Sequence, residues 1–384
     1  MDRPTAIAGI GQTEFAKSIE RPETQLAVEA VHAALADAGL APHNVDALVR
    51  FDMETTTEAE MARNLGVDDL KFFAATEYGG GGGCGTLALA DMAVATGRAE
   101  VAVAWRARKR GSGPRPWAKS GARQTVPEEK QWYFPFGLVR PVDQVAMTAR
   151  RYMHEYGLTE NQLGAVAVTI REHANTNPAA LMHDREMSLD DYLASRMVSE
   201  PLRVPDCCLE TDGALAVVIT SLERARDLAQ QPAVIAASGM GAGPEPVVMA
   251  AYNAADITTG PGAALAPRLF AQAGITPADI DCAQIYDAFT PLVVQSLEDY
   301  GFCGRGEAGE FCADGNLSVD GGALPACTSG GGLSEAYVHG FNLIVEGVRQ
   351  VRGSSPNQVA GVEHVLVTSG NGVPTSAAIL RSDR

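Results

Sequence analysis

The stretch "TEYGGGGGCGTLALADMAVATG", residues 76–97, joins a run of glycines and one cysteine to an almost wholly apolar helical pattern. A phosphate-binding P-loop would end in Gly-Lys-Ser/Thr, whereas this run ends in Gly83-Cys84-Gly85, so that motif does not match. Two other chemistries suit the N-terminus of a helix. The helix dipole and the free N–H groups can stabilise a thiolate, in which case Cys84 would be a nucleophile. They can also stabilise an oxyanion on the substrate, and this needs no cysteine. Alternatively, Cys84 lies inside a buried helix and only packs there.

The bulk composition narrows the class of protein. The 384 residues are 46% hydrophobic and 20% charged, with 40 glycines, as in a globular α/β protein. A net charge of −17 argues against nucleic acid as the main partner, because phosphate backbones attract basic surfaces. The chain has no apolar run of the about 20 residues that a membrane span needs, and "MDRPTAIAGIG" does not resemble a secretory signal. We therefore expect no membrane association and a cytoplasmic location.

Neither a disulfide framework nor a metal site is predicted. The seven cysteines are odd in number, and no two of them have C-x-x-C spacing. The seven histidines are scattered, with no i, i+4 pair of the kind that binds zinc. Most of the cysteines are interpreted as small buried apolar residues.

Apolar runs with strand character alternate with helical patterns along the chain. Strands are predicted in "TAIAGIG" near the start, in "AEVAVAW" (99–105), in "PAVIAASG" (232–239) and in "EHVLVTSG" (363–370). The helical pattern "TQLAVEAVHAALADAG" ends at Gly39, as helices tend to end at glycine. This alternation predicts an α/β fold with a mainly parallel sheet covered on both faces.

An internal repeat relates the two halves of the chain. Residues 35–52, "LADAGLAPHNVDALVRFD", align without a gap under residues 270–287, "FAQAGITPADIDCAQIYD". Identities fall at Ala36/Ala271, Ala38/Ala273, Gly39/Gly274, Pro42/Pro277, Asp46/Asp281 and Asp52/Asp287. Each segment is followed by a glycine-rich turn, a helical pattern and a strand pattern. Two copies of one βαβαβ plan are therefore predicted.

A segment of different composition lies between the halves. We assign residues 1–106 to the first part of the N-terminal half, 107–210 to an inserted loop region, 211–245 to the end of that half and 246–384 to the C-terminal half. The insertion contains amphipathic helical patterns at 143–156 and 160–174. It is expected to lie over one end of the sheet, where α/β folds bind ligands.

In the order of its motifs the whole chain resembles the thiolase superfamily, and within it the sterol-carrier-protein-x or lipid-transfer type. The motifs are the glycine-rich turn with its buried helix, "LRVPDCCLETDGALAVVITSLERA" (202–225), "YDAF" (286–289), "GGGLSEAYVHGFNLI" (330–344) and "TSGNG" (368–372). The resemblance implies a five-layered α-β-α-β-α core with an inserted loop domain. It also implies a homodimer that pairs through edge strands.

The sequence departs from the thiolase pattern at the positions that carry thiol chemistry. The family's nucleophilic cysteine falls near Gly80, and the histidine of its Gly-His-Pro motif falls at Tyr337. Tyr286 replaces the Asn or His that opens the family's Asn-Glu-Ala-Phe-like motif, and only Ser369 and Asn371 stand where the late cysteine belongs. The glycines are therefore expected to leave room for a bulky substrate beside the helix N-terminus. Gly80 and Gly81 are candidates for stabilising an oxyanion there.

This pattern of losses resembles the thiolase-like aldolases of bacterial steroid side-chain degradation. Those enzymes cleave a 17-hydroxy steroid side-chain CoA thioester to propionyl-CoA and a 17-ketosteroid by retro-aldol chemistry, without an acyl-enzyme. The resemblance implies that Tyr286 and Tyr337 share the roles of acid and base, in an order that the sequence leaves open. It implies no cofactor, because CoA is part of the substrate, and a partner with a DUF35 (OB-fold) domain in a heterotetramer. The alternatives are a thiolase or Claisen-type acyltransferase that uses Cys84, and a non-catalytic acyl-CoA-binding subunit.

Further candidate residues flank these tyrosines in the sequence. Asp287 and Glu335 are further candidates for the oxyanion and substrate-binding site, where they would tune the tyrosines; alternatively, they cap and orient turns. His339 is a candidate for binding substrate, although a helix that begins near Ser334 would turn it to another face than Tyr337.

The basic stretch 106–123 stands out in an acidic chain. It is interpreted either as a binding surface for CoA phosphates or an acidic partner, or as a solvated loop. The candidates for CoA phosphates are Arg108, Lys109, Arg115 and Lys119.

Overall fold

The computed structural model describes residues 3–77, 79–113, 131–243, 254–370 and 374–383. The strands are β1 (Thr5–Gln12), β2 (Ala47–Phe51), β3 (Phe72–Thr76), β4 (Val101–Lys109), β5 (Met197–Ser199), β6 (Leu202–Arg203), β7 (Asp212–Ser221), β8 (Ala233–Gly241), β9 (Cys282–Gln284), β10 (His364–Ser369) and β11 (Thr375–Ser382). The helices are α1 (Glu23–Ala38), α2 (Glu58–Leu65), α3 (Gly83–Ala95), α4 (Pro141–Tyr156), α5 (Glu160–Asn175), α6 (Leu189–Ala194), α7 (Leu222–Ala225), α8 (Gly262–Ala273), α9 (Thr290–Asp299), α10 (Ala308–Ala313) and α11 (Phe341–Arg352).

The main sheet has nine strands in the order β3-β2-β4-β7-β1-β8-β11-β10-β9. It is mixed and not mainly parallel: β2 runs parallel to β3 and β4, and β9 to β10, while the other neighbours are antiparallel. The expectation of a mainly parallel sheet was wrong because the chain leaves β4 at Lys109 and returns beside it at Asp212. A strand that starts where its neighbour ends must run in the opposite direction.

The layered arrangement follows from which helices touch which strands. The α3 and α11 helices pack against strands of both halves of the sheet, whereas α1 covers β1, β4 and β7, and α8 covers β8 and β11. Side chains alternate along β4: Val103 and Trp105 belong to the cluster formed with α1, and Ala102 and Ala104 to the cluster that contains α3. The α3 helix is apolar on nearly every face because strands surround it. The predicted α/β class, with helices on both faces of the sheet, is confirmed.

The internal repeat is confirmed by matching local structure. Gly39 ends α1 and Gly274 ends α8, each in the left-handed conformation that an L side chain rarely adopts. The Asp46 carboxylate accepts hydrogen bonds from the backbone at the start of β4, with 2.8 Å to the amide of Val101. The Asp281 carboxylate does the same at the start of β10, with 2.8 Å to the amide of His364. An aspartate side chain therefore holds the start of the following strand in the same way in each half.

The described part of the insertion is largely helical. The amphipathic patterns predicted at 143–156 and 160–174 are the helices α4 and α5, and a short α6 and the β5–β6 pair follow them. The boundaries that we assigned to the four parts of the chain stay a prediction. None of the helices in the described ranges is long and apolar enough to cross a membrane.

We predict that Gly11→Ala destabilises the fold, because β1 and α1 pack backbone to backbone at this residue. An added Cβ would overlap the carbonyl oxygen of Ala30 and the amide nitrogen of Ala34. Forcing the helix away from the strand should lower the free energy of unfolding by about 1–3 kcal/mol, measured by chemical denaturation. Ala33→Ser, on the exposed face of α1, is the control and should change it by less than about 0.5 kcal/mol. Equal stability of the two variants would contradict the prediction.

Candidate active site

Two tyrosines from distant parts of the chain meet at the centre of the molecule. Tyr286 follows β9, and its backbone N–H donates to the hydroxyl of Thr368 on β10 at 2.8 Å. Tyr337 lies just before α11, and its N–H donates to the hydroxyl of Thr211 at 2.7 Å. The two phenolic oxygens are 2.5 Å apart, and either can be the donor. The structure therefore brings together the two residues that the sequence singled out as acid and base.

Tyr286 occupies the space that the sequence analysis left for substrate. A Cβ at Gly80 would overlap the hydroxyl oxygen of Tyr286, and a Cβ at Gly340 would come within 2.9 Å of its ring. The expectation that the glycines open room for a bulky substrate was wrong at this point, because the phenol ring fills that room. Any side chain at residue 80 would be incompatible with this position of the Tyr286 ring.

Both phenols are held in their protonated form. Burial and the adjacent Tyr337 hydroxyl raise the pKa of Tyr286 well above its usual value. Burial also raises the pKa of Tyr337, although Arg110 and Arg108 oppose the rise. A base would need a lowered pKa, so the unliganded pair is poised to donate protons and to exchange one through its shared hydrogen bond.

Cys84 does not have the surroundings of a nucleophile. Its thiol is fully buried and donates to the carbonyl oxygen of Val367 at 3.6 Å, and burial raises its pKa to about 12. Its backbone N–H donates to the hydroxyl of Ser369 at 2.8 Å, so Ser369, one of the two residues predicted at the late-cysteine position, holds the first turn of α3. The second residue predicted at that position, Asn371, lies outside the described ranges. The packing interpretation of Cys84 therefore fits the structure better than the nucleophilic one.

Gly81 is part of the same tight region. A Cβ at this residue would overlap the carbonyl oxygen of Pro374, and its own carbonyl accepts a hydrogen bond from the hydroxyl of Ser376. Gly79–Gly82 form a short 3-10 turn that leads into α3. The role of Gly80 and Gly81 as oxyanion donors stays a prediction.

Asp287 caps a turn, as one of its two interpretations proposed. Its carboxylate accepts hydrogen bonds from the backbone N–H groups of Gly332 at 2.7 Å and Leu333 at 3.0 Å. Burial raises its pKa to about 6 even though these amides favour the anion. Its contribution is to hold the glycine-rich turn that precedes Tyr337.

Glu335 likewise orients the chain around the site. Its carboxylate accepts from the hydroxyl of Ser329 at 2.6 Å and from the side-chain amide of Asn342 at 2.9 Å. Burial raises its pKa to about 7, against the attraction of Arg349. These bonds tie the turn before Tyr337 to the first turn of α11.

His339 lies against Tyr337, contrary to the expected helical geometry. The helix begins at Phe341 and not near Ser334, because a π-helical turn at Gly331–Glu335 ends in an extended residue before the chain reaches the tyrosine. The His339 ring lies edge to face with the Tyr337 ring, with centroids 5.3 Å apart. No helix runs through Tyr337 and His339, so the helical angle that was expected to separate the two side chains does not apply.

The basic stretch divides between the two faces of β4. Arg106 and Arg108 point toward the tyrosines with Arg110, whereas Lys109 points the other way and donates to the main-chain carbonyls of Ile19 and Arg21. Lys109 is thus bound to main-chain carbonyls on the face away from the tyrosines, and its role as a CoA-phosphate ligand stays a prediction.

The remaining phosphate candidates have separate outcomes. Burial, with the neighbouring Arg106 and Arg110, lowers the pKa of Arg108 to about 10, and a contact between this side chain and CoA stays a prediction. Arg115 and Lys119 lie outside the described residues.

A buried ion pair that was not predicted from the sequence lies next to the site. An Nη of Arg106 lies 3.0 Å from a carboxylate oxygen of Glu54, and neither side chain has exposed area. The solvated-loop interpretation is therefore wrong for Arg106. A signal was available, since an arginine at an inward-facing position of a buried strand must find an anionic or acceptor partner. Nothing in the sequence indicated that the partner is Glu54.

Comparison with known families and proteins agrees with this architecture. The thiolase N-terminal domain family matches residues 5–223, and the family described as thiolase C-terminal domain-like matches residues 248–381. A steroid side-chain-cleaving aldolase of Thermomonospora curvata is 52% identical over 384 residues, covering 99% of this chain and 98% of that protein. A 17-hydroxy-3-oxo-4-pregnene-20-carboxyl-CoA lyase of Mycobacterium tuberculosis is 51% identical over 381 residues, covering 98% of each.

A solved structure gives the same result. The Ltp2-ChsH2(DUF35) aldolase superposes with a TM-score of 0.95 at 52% identity, and the alignment covers 100% of this chain and 99% of that chain. Both the fold and the arrangement of the two halves are therefore shared along the whole length.

We predict that alkylation separates buried from accessible cysteines. Iodoacetamide applied to the folded protein should leave Cys84 unmodified, because its thiol is buried and protonated. Peptide mass spectrometry after unfolding in guanidinium should show complete modification of the same residue. Cys303, which is partly exposed, is the internal control and should be modified in the folded protein. Rapid modification of Cys84 in the folded protein would restore the nucleophilic interpretation.

Proposed function

The chain belongs to the thiolase family, and we propose that it uses this fold for a different reaction, the retro-aldol cleavage of a 17-hydroxy steroid side-chain CoA thioester without an acyl-enzyme. The protein is a carbon–carbon lyase of the steroid side-chain-cleaving aldolase type. The products are propionyl-CoA and a 17-ketosteroid. No cofactor is required, because the CoA group is part of the substrate.

The observation that carries this proposal is the contact between the two tyrosines that stand at the predicted acid/base positions of a thiolase, beside the glycine at the predicted nucleophile position. Tyr286 fills the volume at Gly80 in which a nucleophile would stand, and its hydroxyl is 2.5 Å from that of Tyr337. A reaction with two proton transfers and no acyl-enzyme needs such a pair. The aldolase and lyase relatives, at 52% and 51% identity over nearly the full length, support the same assignment.

The proposed step balances without any further reactant. As the bond between the steroid ring and the side chain breaks, one phenol accepts the proton of the 17-hydroxyl and passes its own proton across the shared hydrogen bond to the other phenol. The oxygen left on the ring becomes the ketone, and the electron pair of the broken bond forms the enolate of the thioester. In the same relay the second phenol gives its own proton to the enolate carbon, which yields propionyl-CoA and leaves both tyrosines as neutral phenols. Charge develops on the thioester oxygen, so donors near that oxygen accelerate the reaction.

The buried and protonated Cys84 disfavours the thiolase or Claisen-type alternative. The remaining alternative is a non-catalytic acyl-CoA-binding subunit. Cleavage of the substrate in an assay would exclude this alternative, and absence of cleavage would favour it.

The proposed partner is inferred from the similar aldolase of known structure. That structure is named the Ltp2-ChsH2(DUF35) aldolase, and we propose that this chain likewise works with a DUF35-domain protein. A homodimer of this chain within a heterotetramer follows from the family resemblance. We place the reaction in the cytoplasm because its substrate is a CoA thioester.

We predict that the purified protein, mixed with a DUF35 partner, cleaves 17-hydroxy-3-oxo-4-pregnene-20-carboxyl-CoA. Mass spectrometry should show propionyl-CoA and the 17-ketosteroid appearing in equal amounts, because one bond yields both products. The protein without partner and the partner alone are the controls. Binding of the thioester without any product, with the partner present, would favour the acyl-CoA-binding subunit instead.

We predict that Tyr286→Phe and Tyr337→Phe each lower kcat by about 100-fold or more, because each removes one hydroxyl of the proton-transfer pair. Tyr156→Phe is the matched control, since this half-buried ring packs on Tyr152 away from the pair, and it should keep kcat within about twofold. Thermal unfolding of all variants checks the fold. Full activity of both site variants would remove the assignment of the site.

A further inference from the structure

A fully buried ion pair stands behind the tyrosines on strand β4. Arg106 is 3.0 Å from Glu54, and Glu54 also accepts a hydrogen bond of 2.8 Å from the backbone N–H of Ala107. Neither side chain has exposed area. Burying two charges costs free energy that their attraction often only offsets, and an apolar pair in the same volume is frequently more stable. A charged pair at this place therefore points to a use beyond stability.

That use is indicated by the second partner of Arg106. Its guanidinium lies 3.1 Å, by Nε, and 3.0 Å, by an Nη, from Nδ1 of His339. A guanidinium only donates hydrogen bonds, so Nδ1 must accept and carries no proton. The imidazole is thereby fixed as the neutral form with its proton on Nε2. Burial and the three arginines Arg106, Arg108 and Arg110 also lower the pKa of His339 well below its usual value, so it does not become charged.

The orientation of the His339 ring is fixed as well. One face stacks on Phe51, with ring centroids 5.2 Å apart and planes within 7°. The ring also meets that of Tyr337 edge to face at 5.3 Å. The backbone of His339 has a φ of 53°, a conformation that is uncommon for a residue other than glycine and that is kept where surrounding contacts determine it. Nε2 makes no hydrogen bond to any residue in the described ranges.

We propose that His339 is a catalytic donor whose Nε2–H binds the thioester oxygen of the substrate, and that Glu54 and Arg106 are its positioning residues. The proposal rests on the retro-aldol function and names the group that stabilises its enolate. A donor already fixed in tautomer and direction needs no reorganisation when charge develops on that oxygen. The neutral form matters, because an imidazolium would lose its Nδ1 acceptor and break the contact with Arg106.

The first test compares His339→Phe with His339→Gln in the assay of the protein with its DUF35 partner and the steroid CoA thioester. His339→Phe removes the donor and should lower kcat by about 100-fold while KM changes by less than about threefold. His339→Gln supplies an N–H donor of similar reach and should recover about tenfold of that loss. A kcat of His339→Phe within twofold of the wild type would overturn the proposal. So would equal losses in both variants when thermal unfolding shows both to be folded.

The second test observes the tautomer directly and does not depend on turnover. Nitrogen NMR of the protein labelled with ¹⁵N-histidine, with the signal assigned by its loss in His339→Gln, should show a neutral ring protonated at Nε2 between pH 6 and pH 9. Arg106→Met should abolish this fixed state and lower kcat by about tenfold or more. Arg150→Met, an exposed arginine that pairs with Glu200, is the matched control and should alter neither measurement. A ring protonated at Nδ1 in the wild type would overturn the proposal.

The two levels of inference fail in different ways. Absence of products from the wild-type protein with its partner would overturn the proposed function itself. An active wild type beside an equally active His339→Phe would leave that function intact and overturn only the role of His339.

Discussion

The ring of Tyr286 and a side chain at residue 80 compete for one volume, and the rest of the site depends on how that competition is settled. Because residue 80 is glycine, the phenol reaches the turn before α3, and its hydroxyl meets that of Tyr337. The left-handed Gly340 makes room on another side of the same ring. A side chain at residue 80 and this placement of the tyrosine pair are thus mutually exclusive.

Desolvation is the second constraint on the site. The strands of both halves enclose α3 and α11, and the groups around the tyrosines are buried. Burial raises the pKa of the phenols and of the carboxyls of Asp287 and Glu335, and it lowers that of His339. Neutral forms are therefore favoured, and an anion that arises during a reaction must be met by donors that are already in place. Asp287 and Glu335 serve this end indirectly, by fixing the turns that carry Tyr337 and α11.

Local sequence patterns predicted the elements well and their directions poorly. The apolar run at 5–11 is the start of β1, the pattern ending at Gly39 is α1, and the repeat of that pattern is α8 with its own glycine end. These features depend on periodicity and on glycine, which are local. The direction of β7 was mistaken because it depends on where a long insertion returns to the sheet. The start of α11 was mistaken because a π-helical turn has no periodic signature in a sequence.

The sequence by itself determined the fold family, the repeat and the two tyrosines, since a substitution at a known position of a motif is visible without coordinates. Only the tertiary structure decided what surrounds them. Arg106 pairs with Glu54, 52 residues away, and with His339, 233 residues away. It also decided that Lys109, next in the chain to Arg108, belongs to the opposite face. The reason is physical: a buried charge takes whatever partner the packing brings within about 3 Å, and chain distance does not enter that choice.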